Sequence, residues 1–119
     1  MANEIKITAG LRAANGNLNI LVPSSTIQLD QTTARGGGPG TVDVGTTEET
    51  IDFGDIAAGF VHLRNLDETN FVEVGFSAGV YGMKLTAGSV AVFPKLTSAT
   101  VYVKADTAGI KLQVTAVNE

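Results

Sequence analysis

Apolar residues in this chain recur at every second position and almost nowhere at helical spacing. Ile5, Ile7, Ala9 and Leu11 alternate with Lys6, Thr8, Gly10 and Arg12, and Ile110, Leu112 and Val114 alternate with Lys111 and Gln113. A strand turns successive side chains to opposite faces, whereas an amphipathic helix needs apolar positions at i, i+3, i+4 and i+7. No window sustains that helical pattern over three turns, and the best helical candidate, residues 55 to 60, amounts to one turn at most. Composition agrees: 14 Gly against 3 Pro, abundant Thr and Val, and 17% charged residues among 119 suit strands and turns. With 44% apolar residues the chain can pack one core of ordinary domain size. The expected fold class is all-β, an antiparallel β-sandwich or jelly-roll-like fold carrying an N-terminal β-hairpin, compact as one domain.

Asn15-Gly16 is a strong hairpin signal. With those two residues at the centre of the turn, Ala13 faces Leu18, Leu11 faces Ile20 and Ala9 faces Val22, so each apolar residue meets another. Pro23 marks an edge or a bend. The run Arg35-Gly36-Gly37-Gly38-Pro39-Gly40 reads as a loop or linker, and the expected organisation is an N-terminal hairpin or arm at 1–34, a Gly-rich loop at 35–40 and a sandwich at 41–119. Short strands with turns between them follow at about 42–53, 60–66, 70–76, 82–86, 89–95, 99–105 and 109–117. Their spacing suits a sandwich or jelly roll. The inward faces expected are Val72, Val74 and Phe76; Val90 and Val92; Val101 and Val103; and Ile110, Leu112 and Val114.

Most chemistries lack their reagents in this inventory. With no Cys, there is no disulfide, thiolate nucleophile or Cys-ligated metal. With His62 as the one histidine, the usual multi-histidine metal sites are out of reach. His62 alternates with Val61 and Leu63 and reads as a surface or interface residue. The Gly-rich run invites a phosphate cradle, but no Gly-Lys-Ser/Thr follows it and a strand pattern succeeds it, leaving no helix N-terminus for an anion. Paired carboxylates such as Glu48 with Glu49, or Asp52 with Asp55, are too close in sequence to face each other across a sugar from one strand. The loop Asn65-Leu66-Asp67-Glu68-Thr69-Asn70 is rich in oxygen ligands that calcium favours, yet it lacks EF-hand spacing, and the same residues are what a tight turn requires. The expectations are no enzyme activity, no cofactor and no metal. A net charge of -4 without a basic stripe argues against nucleic acid. The absence of an apolar run of about 18 residues argues against a spanning helix, and the Met-Ala-Asn-Glu start has no leader-like pattern.

Charge is distributed unevenly along the chain. Residues 43 to 73 carry Asp43, Glu48, Glu49, Asp52, Asp55, Asp67, Glu68 and Glu73 against Arg64, while residues 84 to 111 carry Lys84, Lys95, Lys104 and Lys111 against Asp106. Such polarity either steers association between copies or cancels once distant strands become neighbours.

Three stretches resemble a known group. Gly45-Thr46-Thr47-Glu48-Glu49-Thr50-Ile51-Asp52-Phe53-Gly54-Asp55, then Leu63-Arg64-Asn65-Leu66-Asp67-Glu68-Thr69-Asn70-Phe71-Val72-Glu73-Val74-Gly75, then Met83-Lys84-Leu85-Thr86-Ala87-Gly88-Ser89-Val90-Ala91-Val92-Phe93 are similar to small proteins encoded in the structural-gene regions of tailed bacteriophages. Their recurring pattern is "GTSEE…LGD…RNLDxTNYVE[IV]G…KLxAGE". Ser89 departs from it where relatives often have Glu, and the hairpin region lies outside it. The resemblance implies a β-sandwich virion component without catalytic residues. Within that setting the expected role is a capsid decoration, or cement, protein on the outer capsid surface, assembled in the host cytoplasm and bound to the major capsid protein. A tail, baseplate or head-to-tail component, or a tail-tip receptor- or carbohydrate-binding module, is the alternative. A homo-oligomer is expected, a trimer above other states, with Lys95 and Lys104 on one copy facing Glu48 and Glu49 on another.

Overall fold

The computed structural model describes residues 4–54, 56, 59–93 and 100–118. The chain divides into two compact units, Met1–Thr32 and Thr33–Glu119, where one compact domain was expected.

The first unit is the hairpin, built from β1 (Ile5–Asn15) and β2 (Leu18–Leu29) in antiparallel pairing. The last pair is Asn15 with Leu18, so the turn is centred on Gly16 and Asn17, one residue later than expected; Gly16 takes φ +56°. Moving the turn by one residue moves each cross-strand partner by two. Ala13 therefore faces Ile20 and Leu11 faces Val22. A two-residue shift leaves every side chain on its original face, which is why the apolar pattern survives the correction. Pairing resumes beyond a bulge with Ala9 opposite Ser25, so Pro23 and Ser24 together stand opposite Gly10. That bulge is the bend expected at Pro23. Gly10 is required there because a Cβ would lie 2.9 Å from Ser24 Oγ and 3.1 Å from its Cα.

The second unit holds eight strands among the described residues: β3 (Gly36–Val44), β4 (Glu49–Thr50), β5 (Phe60–Asn65), β6 (Val72–Gly75), β7 (Met83–Leu85), β8 (Val90–Phe93), β9 (Tyr102–Ala105) and β10 (Ile110–Val117). They form two four-stranded antiparallel sheets, ordered β3-β10-β5-β8 and β4-β9-β6-β7. The pairing is nested: β6 with β7, β5 with β8, β4 with β9, and β3 with β10. The chain runs out along β3 to β6, turns, and runs back alongside itself, with successive rungs assigned to alternate sheets. The two inner faces share one core, in which Val44, Val61, Leu63, Phe93, Ile110, Leu112, Val114 and Ala116 from the first sheet meet Val72, Val74, Leu85, Val103 and Ala105 from the second. This is an all-β, sandwich-like architecture with an N-terminal hairpin, and no helix occurs among the described residues. The one-turn helical candidate at 55–60 lies partly outside them.

Four expectations for the second unit change. The run 36–40 is not a loop: it forms the first half of β3, with Gly36 opposite Val117, Gly37 opposite Ala116, Pro39 opposite Thr115 and Gly40 opposite Val114. Glycine permits this irregular strand, since Gly37 and Gly40 take φ of +128° and +87° and the register shifts between Thr115 and Ala116. Pro39 is tolerated because β3 is a sheet edge. Secondly, Val90 and Val92 point outward and the buried residue of β8 is Phe93, because its pairing with Val61 sets the larger side chain beside the core. Thirdly, β6 ends at Gly75, leaving Phe76 exposed, with its ring edge-on to Phe93 at 5.4 Å between centroids. The strand expected over 42–53 divides around Gly45 into β3 and β4.

Candidate interaction surfaces

Among the described residues the hairpin presents the largest uncovered apolar surface. Alternation along β1 places Ile5, Ile7, Leu11 and Ala13 on one face, with their partners Leu29, Ile27, Val22 and Ile20 beside them, and Leu18 completes the row at the turn. Ile5 is buried, but Leu11 is 65% exposed, Val22 52%, Ile27 49%, and Leu18 and Ile20 nearly as much. The opposite face carries Lys6, Thr8, Arg12, Asn19, Thr26 and Gln28, with the Thr8 and Thr26 hydroxyls 2.7 Å apart. Leu21 also lies on that polar side. The result is an amphipathic two-stranded ribbon whose ionisable groups all avoid the apolar face.

Nested pairing decides the question left open by the charge distribution, because it sets acidic outgoing strands against basic returning ones. Lys111 Nζ lies 2.8 Å from Asp43 Oδ1, as β10 and β3 pair. Glu73 on β6 stands between Lys104 on β9 and Lys84 on β7, and Lys84 Nζ also sits 4.2 Å from the centroid of the Phe71 ring. Glu48 feels the positive potential of Lys104 in the same copy. Of the four rim residues expected from the sequence, Glu48 and Lys104 are thus brought near each other within one chain. Glu49 is exposed on the edge strand β4, and Lys95 lies outside the described residues.

Glu48 also has a structural task that its sequence context did not announce. Its Oε1 accepts hydrogen bonds from the Gly79 N–H at 2.6 Å and the Tyr81 hydroxyl at 2.5 Å, fastening the β6–β7 loop to the segment entering β4. The Tyr81 hydroxyl, then the Gly79 amide, hold the Glu48 carboxyl below its ordinary range. The same bond pushes Tyr81 up to about 12.

The Asn65–Asn70 loop uses its oxygens as a turn does. Asn65 is fully buried at the end of β5; its Nδ2 donates to the carbonyls of Asn70 at 2.9 Å and Leu85 at 3.0 Å, and its Oδ1 accepts from the Asp67 N–H at 2.9 Å. Asp67 Oδ2 accepts from the backbone N–H groups of Asn70 at 2.6 Å and Thr69 at 3.0 Å. These donors hold the Asp67 carboxyl below its ordinary range. Asp106 is lowered likewise, first by the Thr107 hydroxyl and then by the Thr107 amide. Among the described residues no group of three or more His, Asp or Glu side chains is placed to hold a metal ion.

A shallow groove of about 470 Å³ runs past Asp43, Gly45, Leu66, Asp67 and Lys111; the Asp43–Lys111 ion pair forms part of its wall. Four edges flank the two sheets. β4 and β7 are two and three residues long, β3 is irregular through Pro39 and its glycines, and each of these devices discourages edge pairing. β8 has neither device, only Val-Ala-Val-Phe, with Val90 and Val92 exposed. Comparison with known proteins finds no family model, no curated protein and no solved structure that matches this chain.

Proposed function

We propose that this chain is a non-enzymatic structural protein of a tailed-bacteriophage virion, a decoration protein that sits on the outer capsid surface and reinforces joints between major capsid proteins. The observation that carries this reading is the hairpin. Its strands of 11 and 12 residues are the longest among the described residues, and they expose an apolar face where a freely soluble monomer would keep polar residues. The motif residues of the virion-protein resemblance support it as well, since Asn65, Asp67 and Gly75 serve turns and close packing rather than a reaction centre. We read the nested winding of β3 to β10 into two sheets as a jelly roll, a fold suited to tiling a shell. On a symmetric lattice, many weak contacts add through avidity. The copies associate, with three about a symmetry axis as the leading arrangement, and the exposed Glu49 on the edge strand β4 biases orientation more than affinity.

Capsids prepared without this protein provide the test. Added protein should bind them in fixed proportion to the major capsid protein and raise the temperature at which the shell opens. Binding of a few copies confined to the tail would replace this reading with a tail or baseplate role. Failure to bind either structure would remove it from the virion.

A further inference from the structure

We infer that the apolar face of the N-terminal hairpin is a self-association surface, covered in solution by the same face of another copy of this chain. A two-stranded ribbon is marginal by itself in water, and becomes stable when an apolar face is packed against another layer. Here Leu11, Leu18, Ile20, Val22 and Ile27 lack that layer. The area fits a second copy: these side chains with Leu29 leave on the order of 500 Å² of apolar surface per chain, and two such faces reach the roughly 1,000 Å² from which specific interfaces begin.

Charge selects the same occupant. Lys6 and Arg12 point to the opposite face, and no ionisable group interrupts the row from Ile7 to Ile27. A partner recognised by charge would find nothing to read, whereas two identical uncharged faces meet without repulsion. An isologous contact also uses one surface twice, the arrangement that symmetric homo-oligomers favour. The two ribbons would stack as two layers at the usual sheet spacing of about 10 Å, each supplying the cover that the other lacks. The inference does not rest on a place in a virion; it follows from the ribbon itself.

The chain contains no cysteine, which makes a direct test available. Single variants Ile20→Cys, on the apolar face, and Asn19→Cys, on the polar face, are oxidised at about 100 µM, above the micromolar dissociation constants at the weak end for interfaces of standard size. Ile20→Cys should form covalent dimers in most molecules and Asn19→Cys in few. In parallel, sedimentation of the wild-type chain should give a multiple of 12.3 kDa. The pair Leu11→Lys with Ile20→Lys should return the single-chain mass while the thermal transition of the second unit stays in place, and Leu21→Lys on the polar side should leave association unchanged. A wild-type chain that sediments as a monomer overturns the inference. Equal cross-linking of the two cysteine variants, or association that persists in the double lysine variant, overturns it too. None of these results depends on capsid binding, so the decoration reading and the self-association surface can fail separately.

Discussion

The fully buried Asn65 side chain makes three hydrogen bonds, to the carbonyls of Asn70 and Leu85 and from the N–H of Asp67, and its removal leaves the buried Leu85 carbonyl unpaired and loosens the two part-buried partners. Asn65→Leu should therefore destabilise the second unit by about 2–3 kcal/mol in urea unfolding, the range expected when a buried carbonyl is left unpaired and two further bonds are lost. Gly75 is constrained by space rather than by bonding. A Cβ there would lie 1.9 Å from the Val80 carbonyl oxygen, so Gly75→Ala must push the β6–β7 loop away, at a cost of roughly 1–3 kcal/mol typical of overpacking. Both effects are visible only once chain segments meet, and the sequence pattern around Asn65 announces a turn without disclosing which carbonyls it serves. The lowered carboxyls of Glu48, Asp67 and Asp106 have a shared consequence. Each folded-state pKa lies below the ordinary 4.5 of Glu or 3.8 of Asp, so each contributes stability that is complete above that range and is lost as pH falls through it. The melting temperature should hold from neutral pH to about pH 5 and drop below about pH 4, and Asp67→Asn should make that drop shallower.

At the scale of elements, the hairpin turn offers a clean substitution. Gly16 combines φ +56° with open space around the position of a Cβ, so Gly16→Val meets no clash and registers backbone strain alone, of about 1 kcal/mol or more. Faster amide exchange along β1 and β2, with unchanged exchange in β10, is the expected result. Strand existence was readable here from alternation alone; β5, β6, β7, β8 and β10 each fall within a residue or two of where periodicity places them. Registers and exceptions were not, for identifiable reasons. Asn15-Gly16-Asn17 contains both an Asn-Gly and a Gly-Asn turn, and the alternation is blind to a shift of partners by two. Residues 36–40 have no side-chain pattern to read, since four of the five are glycine, and their strand character comes from β10. Val90 and Val92 satisfy the same period as Ala91 and Phe93, and the core takes the set that includes the larger ring.

For the molecule as a whole, the opposition of acidic and basic halves turned out to be internal complementarity, which no reading along the chain could decide without the strand order. The two units also predict how the chain tolerates cutting. Removing residues 1–32 should leave a second unit that melts cooperatively, because its core residues all lie within it. Ending the chain at Gly109 should abolish folding as judged by circular dichroism and denaturant titration. β10 is the strand responsible: it is hydrogen-bonded to β3 on one side and β5 on the other. During synthesis at roughly 5–20 residues per second, β3 and β5 are made long before β10 can separate and join them. The first sheet therefore closes only when translation has passed Val117, and for several seconds two unpaired strand edges and half a core wait in the company of other nascent chains. Holdase chaperones, slow-growth temperatures and a low rate of initiation should each raise the yield of native protein, more than they would for a chain of this length built from local hairpins.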